Sequence, residues 1–580
     1  MTEIPLTNAA PPRPAASFRR PDRRIWLGIL LLLAIGIVTL APIAYVIGAS
    51  FDVSAIGRPF KFGLAGWNDL FTNKNSLDAI YYSFLLSVRV PIAIIAAFLI
   101  SWLLIRVQIP GRRFIELSLW FGFFLPVVPM VMGWILLLDA HYGLLNTLLQ
   151  KLPFVHGPIF SIYSISGMIW VHLSLTTIPI MVILLTPAFR QLDAAYEEAA
   201  DIAGAGITGT LRRITIPLLV PAIVTAFVSG LIKSLETFEV EQLLGTPAKI
   251  FVYATRIYDL INWEPPLFPQ AMALSSLFLV ILLVLAVVYQ RYLSRTGDIA
   301  TITGRGVRMR PRRTSSPWAY AASAVLILYI VIAIFLPLMI LILGSFTKLF
   351  GFFFIENAWT TAHWREVLGD DRFLRAAFNS IFLGTAVGLI GILVFSLIAW
   401  ALVRADIWGR GLISVIIWLP WAIPGLVLGV TLLSLMLNIP GISWLYGTVI
   451  PLVLALLIKE LPIGVQLLRN SLGQVSGQLE EAARISGAGF TATFRRVTLP
   501  LIAPMLVSVF LLIFAGTIRD ISTVVLIATP GLRTLSLLMF DFAVGGRFES
   551  ASVVGILIAV LSLVITVIAF RIGNRVGIGN

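Results

Sequence analysis

The sequence of 580 residues contains no cysteine and only four histidines. Without cysteine, the chain can form no disulfide, no thiolate metal site and no cysteine nucleophile. The histidines stand at positions 141, 156, 172 and 363, which is not the spacing of a metal site. None of the seven lysines follows a glycine, so the Gly-Lys-Ser/Thr end of a phosphate-binding loop is missing. We therefore predict that the chain is not an enzyme and holds no metal.

Charged residues are also scarce, at 12% of the chain, whereas 59% of the residues are hydrophobic and the mean hydropathy is +0.97. This composition is typical of an integral membrane protein. Crossing a bilayer takes about 20 apolar residues, and the uncharged runs predict about twelve spans, six in each half. The first run, at 25–51, is longer than the core of a signal peptide and is expected to be a retained span.

The basic residues border these spans and set the predicted orientation. With both termini in the cytoplasm, 26 of the 42 lysines and arginines lie inside and 13 outside, as the positive-inside rule requires. The net charge of +14 then reflects membrane topology, not nucleic-acid binding. The predicted domains are a disordered basic tail (1–24), a first transmembrane domain (25–290), a cytoplasmic linker (291–317) and a second transmembrane domain (318–573).

One stretch occurs twice, as EEAADIAGAGITGTLRRITIPLLVP at 197–221 and as EEAARISGAGFTATFRRVTLPLIAP at 480–504. At a constant offset of 283 residues, 16 of the 25 positions are identical. Each copy predicts a short helix, a glycine break and a basic helix ended by proline, on the cytoplasmic side between the fourth and fifth spans of its half. With six spans per half, the two halves insert in the same orientation about an axis along the membrane normal.

At these residues the chain resembles the membrane subunits of binding-protein-dependent ABC importers. Their signature is Glu-Ala-Ala, three residues, Gly, nine residues, then Ile-x-Leu-Pro. The resemblance implies an all-α integral membrane fold of two tandem six-helix type I ABC importer transmembrane domains, with a pseudo-twofold along the membrane normal. The residues implied in coupling to the ATPase are Glu197, Glu198, Ala199, Ala200 and Gly204, with Glu480, Glu481, Ala482, Ala483 and Gly487.

The same resemblance implies the partners. Two copies of an ABC ATPase subunit would bind ATP and Mg, so this chain itself would need no cofactor. A periplasmic substrate-binding protein would deliver the substrate, because the predicted outer loops are too short to fold as a capturing domain. The expected location is the bacterial inner membrane, where the lipid bilayer surrounds the spans.

Charges in or beside the spans mark a candidate pathway. Lys459 and Glu460 lie inside the tenth predicted span and need partners or water in the bundle interior. A second set ends the fifth span of each half, and opposite charges there could pair across the pathway as an outer gate. It comprises Lys233, Glu236, Glu239, Glu241, Arg519 and Asp520. A structural ion pair for the first set and a charge belt at headgroup level for the second are the alternatives.

The substrate is the least determined feature. The fused two-domain form and phrases such as RDISTVVLIATPGLRTLSLLMF at 519–540 are most similar to ferric-iron permeases. Importers of thiamine, polyamines or phosphonates share much of this pattern and remain alternatives. Twelve spans in two sets of six also describe major-facilitator secondary transporters, but the paired elbow argues against that class.

Overall fold

The computed structural model describes residues 23–54, 58–296, 317–405 and 407–575. Residues 1–22 of the predicted tail (1–24) and 297–316 of the predicted linker (291–317) lie outside these ranges. In the described part of the chain, helices account for nearly all regular structure. Two isolated bridges, Asp52 to Phe62 and Thr347 to Trp359, occupy matching places after the first span of each half. The predicted all-α fold is confirmed.

The described residues of the first half form fourteen α-helices. They are α1 (Arg23–Ala49), α2 (Ala65–Thr72), α3 (Lys74–Leu86), α4 (Arg89–Arg106), α5 (Arg112–Phe124), α6 (Val127–Leu138), α7 (Leu144–Leu149), α8 (Ile165–His172), α9 (Ile178–Gln191), α10 (Ala195–Ile202), α11 (Ile207–Thr210), α12 (Ile216–Leu235), α13 (Tyr253–Asn262) and α14 (Phe268–Thr296).

The second half repeats this order with fewer separate helices. They are α15 (Pro317–Ile330), α16 (Leu336–Gly344), α17 (Ala362–Gly369), α18 (Asp371–Arg404), α19 (Arg410–Trp418), α20 (Gly425–Asn438), α21 (Ile450–Gln474), α22 (Gln478–Ile485), α23 (Phe490–Thr493), α24 (Leu499–Arg519), α25 (Leu535–Val544) and α26 (Phe548–Arg575).

Ten helical stretches of the described chain are long and apolar enough to cross a membrane, and two bent pairs bring the number to twelve. The third span of each half is the bent one. Helices α5 and α6 meet at 105°, and the stretch Arg410–Ala422 meets α20 at 97°. The prediction of about twelve spans is confirmed, but the sequence did not show that two of them are broken.

Proline explains both breaks. Pro126 and Pro424 stand at the two corners, and a proline favours an extended conformation in the residue before it. Leu125 and Ile423 accordingly have ψ angles of 139° and 114°. After the corner, α6 and α20 are buried along almost their whole length. The bends therefore carry the second arm of each span into the protein interior.

The halves exchange their first spans. Helix α1 packs on α19 and α20 of the second half, while α15 and α16 pack on α5 and α6 of the first half. The approach of α6 to α16 is very close, because a Cβ atom added at Gly133 would lie 2.2 Å from the carbonyl oxygen of Pro337. The interface between the halves thus depends on a position without a side chain.

The repeated elbow differs from its prediction in one respect. The basic helix does not end at Pro217 or Pro500. It runs on through a π-helical turn, Leu211–Thr215 or Phe494–Thr498, so that Ile207–Leu235 and Thr491–Arg519 are continuous helices. Proline lacks an amide donor and its ring crowds the carbonyl four residues earlier. A wider turn relieves both conflicts, since its hydrogen bonds span five residues.

We predict that Gly133→Ala lowers the stability of the protein in detergent by about 1–3 kcal/mol, because the new methyl group overpacks the contact with Pro337. Thermal unfolding of the purified chain measures the change. Gly411→Ala is the matched control, since Gly411 is also helical and has no atom within 4 Å of an added Cβ. Equal unfolding temperatures for the two variants would contradict the proposed close contact.

Candidate functional site

Each elbow is a short helix, a glycine turn and the start of a span. In the first half α10 ends at Ile202, and Gly204 follows with a φ of +78°. In the second half α22 ends at Ile485, and Gly487 has a φ of +85°. This left-handed conformation costs a residue with a side chain about 1–2 kcal/mol. The turn therefore explains why glycine stands at the predicted position in both copies.

In the first elbow, Glu197 ties two spans to α10. Its Oε2 lies 3.0 Å from Nε of Arg106, at the end of the second span, and its Oε1 accepts a hydrogen bond of 2.9 Å from Thr215 Oγ1, at the start of the fifth span. Arg106 also donates to the carbonyl oxygen of Leu192 at 2.9 Å, just before the elbow. We call this arrangement the elbow clamp.

The second half has the same clamp. Glu480 is buried, its Oε1 accepts from Thr498 Oγ1 at 3.0 Å, and Nε of Arg404 lies 3.5 Å from it. Arg404 also donates to the carbonyl oxygens of Leu472, at 3.0 Å, and Val475. The clamp residues are therefore equivalent in both halves, and each joins the second span, the elbow and the fifth span.

The remaining predicted coupling residues divide between two faces of the elbow helix. Ala200 is buried and Ala483 half-buried against the protein. The exposed residues are Glu198, Ala199 and Ile202 in the first copy, and Glu481, Ala482 and Ile485 in the second. Ile202 and Ile485 are 89% and 87% exposed, which is unusual for an isoleucine. Sequence analysis missed them, although they follow Glu198 and Glu481 by one helical turn.

Seven of the eight predicted pathway residues form one polar group, which we call the central junction. From the first half it contains Lys233, Glu236 and Glu239, and from the second half Lys459, Glu460, Arg519 and Asp520. Glu236 and Glu239 lie close enough to Lys459 to interact with it electrostatically, and Lys233 does the same with Glu460. The tertiary fold therefore brings charges of both halves together.

The short contacts of the junction form within each half. Lys233 Nζ donates to Glu236 Oε2 at 2.6 Å. Lys459 Nζ donates to Asp520 Oδ2 at 2.5 Å and to Thr523 Oγ1 at 3.2 Å. The expectation that Lys459 has a partner in the bundle interior is confirmed. Such pairing matters because an unpaired charge among lipid chains costs about 2.5–3.5 kcal/mol on insertion scales.

Glu241, the eighth residue, makes its short contacts in a neighbouring buried cluster of the first half. Its Oε1 is 2.7 Å from His172 Nε2 and accepts a 2.7 Å hydrogen bond from Thr237 Oγ1. Arg89 lies 3.8 Å from the same oxygen and donates to the carbonyl oxygen of Ser234 at 2.9 Å. Sequence analysis missed Arg89 and His172, because their proximity to Glu241 arises only from helix packing.

Among the described residues, no group of three or more His, Cys, Asp or Glu side chains is placed to hold a metal ion. The junction carboxylates instead alternate with lysine and arginine. The arrangement is that of a charged cluster between helices of both halves, and two of its cations contact the corners of the broken third spans.

We predict that Arg106→Met loosens the first elbow, because it removes the ion pair with Glu197 and the hydrogen bond to the carbonyl oxygen of Leu192. Losing a hydrogen bond to a charged group costs about 1.5–3 kcal/mol. Amide exchange in α10 should accelerate accordingly, by roughly tenfold or more. The control is Arg113→Met, an exposed arginine nearby. Exchange rates in α10 that match the control would show that the clamp does not hold the elbow.

Comparison with known proteins gives a family match and several relatives. A family model described as the binding-protein-dependent transport system inner membrane component matches residues 391–577. A trehalose/maltose transport system permease protein of Thermococcus litoralis is 32% identical over 219 residues, which cover 34% of this chain and 71% of the relative.

Two relatives with longer matches have names that mention iron. A ferric transport system permease protein of Actinobacillus pleuropneumoniae is 26% identical over 401 residues, covering 68% of this chain and 57% of the relative. An Fe(3+)-transport system permease protein of Haemophilus influenzae is 23% identical over 556 residues, covering 94% of this chain and 97% of the relative. The chain thus spans little more than half of the first relative and nearly all of the second.

Proposed function

Because this chain belongs to the family of inner membrane components of binding-protein-dependent transport systems, we propose that it is the permease of an ATP-driven importer whose substrate is ferric iron. Its fold is that of two tandem six-helix type I ABC importer transmembrane domains.

The observation that carries the proposal is the pair of equivalent elbows. Each presents an almost fully exposed isoleucine, Ile202 or Ile485, one helical turn after an exposed glutamate. Exposed apolar side chains at matching places of a pseudo-twofold structure suit two copies of the same partner. Two ABC ATPase subunits, each docked on one elbow and each binding ATP and Mg, meet this requirement.

The clamps supply the mechanical connection. An ATPase that moves α10 or α22 also moves the second and fifth spans. Glu197 and Glu480 contact the second spans through Arg106 and Arg404, and the fifth spans through Thr215 and Thr498. We infer that closure of the ATPase pair swings these spans between outward and inward access. A periplasmic binding protein would deliver the substrate to the opposite face, in a bacterial inner membrane with both termini of the chain cytoplasmic.

Two observations support iron. The relative that matches over the greatest share of this chain among those described is named as an Fe(3+)-transport permease. In addition, the predicted outer loops carry 16 acidic against 13 basic residues, and the four carboxylates of the central junction outnumber its three cations. This charge balance favours a cation over a free anion. Thiamine, polyamines and phosphonates are the alternatives within the same architecture.

We predict that the double variant Ile202→Asp, Ile485→Asp loses co-purification of the ATPase by about tenfold or more, since each carboxylate disrupts an apolar contact. Insertion of the chain into the membrane should be unchanged. The control is Ile439→Asp, an exposed isoleucine of the segment after α20 that we place on the opposite face. Full retention of the ATPase by the double variant would refute the docking assignment.

We further predict that cells without this gene lose uptake of labelled ferric iron, and that the wild-type gene restores it. Uptake of labelled thiamine, putrescine and a phosphonate, measured in parallel, tests the alternative substrates. Loss of one of these with iron uptake intact would overturn iron as the substrate. If none of the four changed, the proposed importer function would itself be in error.

A further inference from the structure

Two cations of the central junction reach across to the other half of the protein. Lys233 Nζ lies 5.6 Å from the ring centroid of Trp421. Arg519 Cζ lies 5.9 Å from the ring centroid of Phe123 and 5.8 Å from that of Phe124, and its Nη1 donates to the carbonyl oxygen of Phe123 at 2.8 Å. A cation over an aromatic face within about 6 Å is an attractive contact.

These contacts are related by the pseudo-twofold. Lys233 and Arg519 each stand in the last turn of the fifth span of their half. Phe123 and Trp421 each stand three residues before the proline at the corner of the third span. At the repeat offset of 283, Lys233 corresponds to position 516, three residues before Arg519. Residues three apart are neighbours on a helix, so the two cations lie on the same face of their fifth spans. The same contact is built twice from different residue types.

We propose that these two crossed contacts, which rest on the importer function proposed above, are a lock that closes the transport path at the broken third spans. We call them the Lys233 lock and the Arg519 lock. Each holds the end of a fifth span against the corner of the other half, at the level where the central junction gathers its charges.

The contacts are suited to open, because each cation has a second partner in reach. Lys233 already donates to Glu236 at 2.6 Å, and its side chain is 43% exposed. Arg519 lies close enough to Glu460 to interact with it electrostatically. When a cation leaves its aromatic partner, a carboxylate can still compensate the charge. Each cation can therefore lie either against the aromatic ring or with the carboxylate alone, and these two arrangements are the states of a two-state element.

The elbows can drive this element. The helices Ile207–Leu235 and Thr491–Arg519 run without interruption from an elbow to a lock cation. Each aromatic partner belongs to the other half, so it does not move with that helix. A displacement of the elbow therefore changes the distance between the cation and the ring, and in this way connects the ATPase to the path.

The absence of natural cysteine allows a direct test. The double variant Lys233→Cys, Trp421→Cys, assembled with the ATPase and the binding protein, is treated with a short bis-methanethiosulfonate cross-linker. We expect rapid cross-linking without nucleotide, and a rate about tenfold lower with ATP and vanadate, because the closed arrangement becomes a minor state. An unchanged rate with nucleotide, or normal transport after complete cross-linking, would overturn the lock.

A second measurement avoids dependence on the cysteine pair. Trp421→Leu removes the aromatic face, whereas Trp421→Phe keeps it. We expect the leucine variant to hydrolyse ATP severalfold faster than the wild type in the absence of substrate, and the phenylalanine variant to keep the wild-type rate. Equal hydrolysis by both variants would contradict the lock.

Failure of the lock and failure of the importer function are distinguishable. If the ATPase does not co-purify with the wild-type chain, the proposed function fails. If it co-purifies and hydrolyses ATP, but cross-linking does not respond to nucleotide, only the lock is refuted.

Discussion

One constraint governs this structure: within the hydrocarbon layer, every backbone amide and carbonyl must be hydrogen-bonded inside the protein. Long continuous helices satisfy it, and ten of them are found in the described chain. The corners at Pro126 and Pro424 interrupt the backbone hydrogen bonds of the third spans and are tolerated only inside the bundle. There α6 and α20 are enclosed by other helices, and Arg519 donates to the carbonyl oxygen of Phe123, which the break leaves open.

Buried polar side chains, like the backbone, need hydrogen-bond partners inside the protein. Buried charges are stabilised only when they are paired and hydrogen-bonded. Lys459 meets Asp520, and Glu241 meets His172. These pairs do not follow the repeat: at the offset of 283, His172 corresponds to position 455, an alanine, and Glu241 to position 524, a valine. The order of the helices therefore repeats in the two halves, whereas these buried pairs do not.

The elbows show the opposite behaviour, because both their backbone and their chemistry repeat. Each uses a glycine in the left-handed region, a glutamate held by an arginine and a threonine, and an almost fully exposed isoleucine at the end of the elbow helix. Equivalent surfaces are what two copies of one partner require, while the interior has no such requirement. The contrast separates the part of the molecule that would face the ATPases from the part that would face the substrate.

Sequence alone determined the membrane class, the number of spans, the duplication and the place of the elbows. Each of these depends on local composition or on residues close together in the chain, such as the left-handed glycines Gly204 and Gly487. It also identified the seven charged residues of the central junction, since a charge in or beside an apolar run is conspicuous. Only the tertiary structure decided their partners, the bends of the third spans and the exchange of the first spans. Arg519 and Phe123 are 396 residues apart, and such a contact depends on how helices pack, which no local pattern encodes.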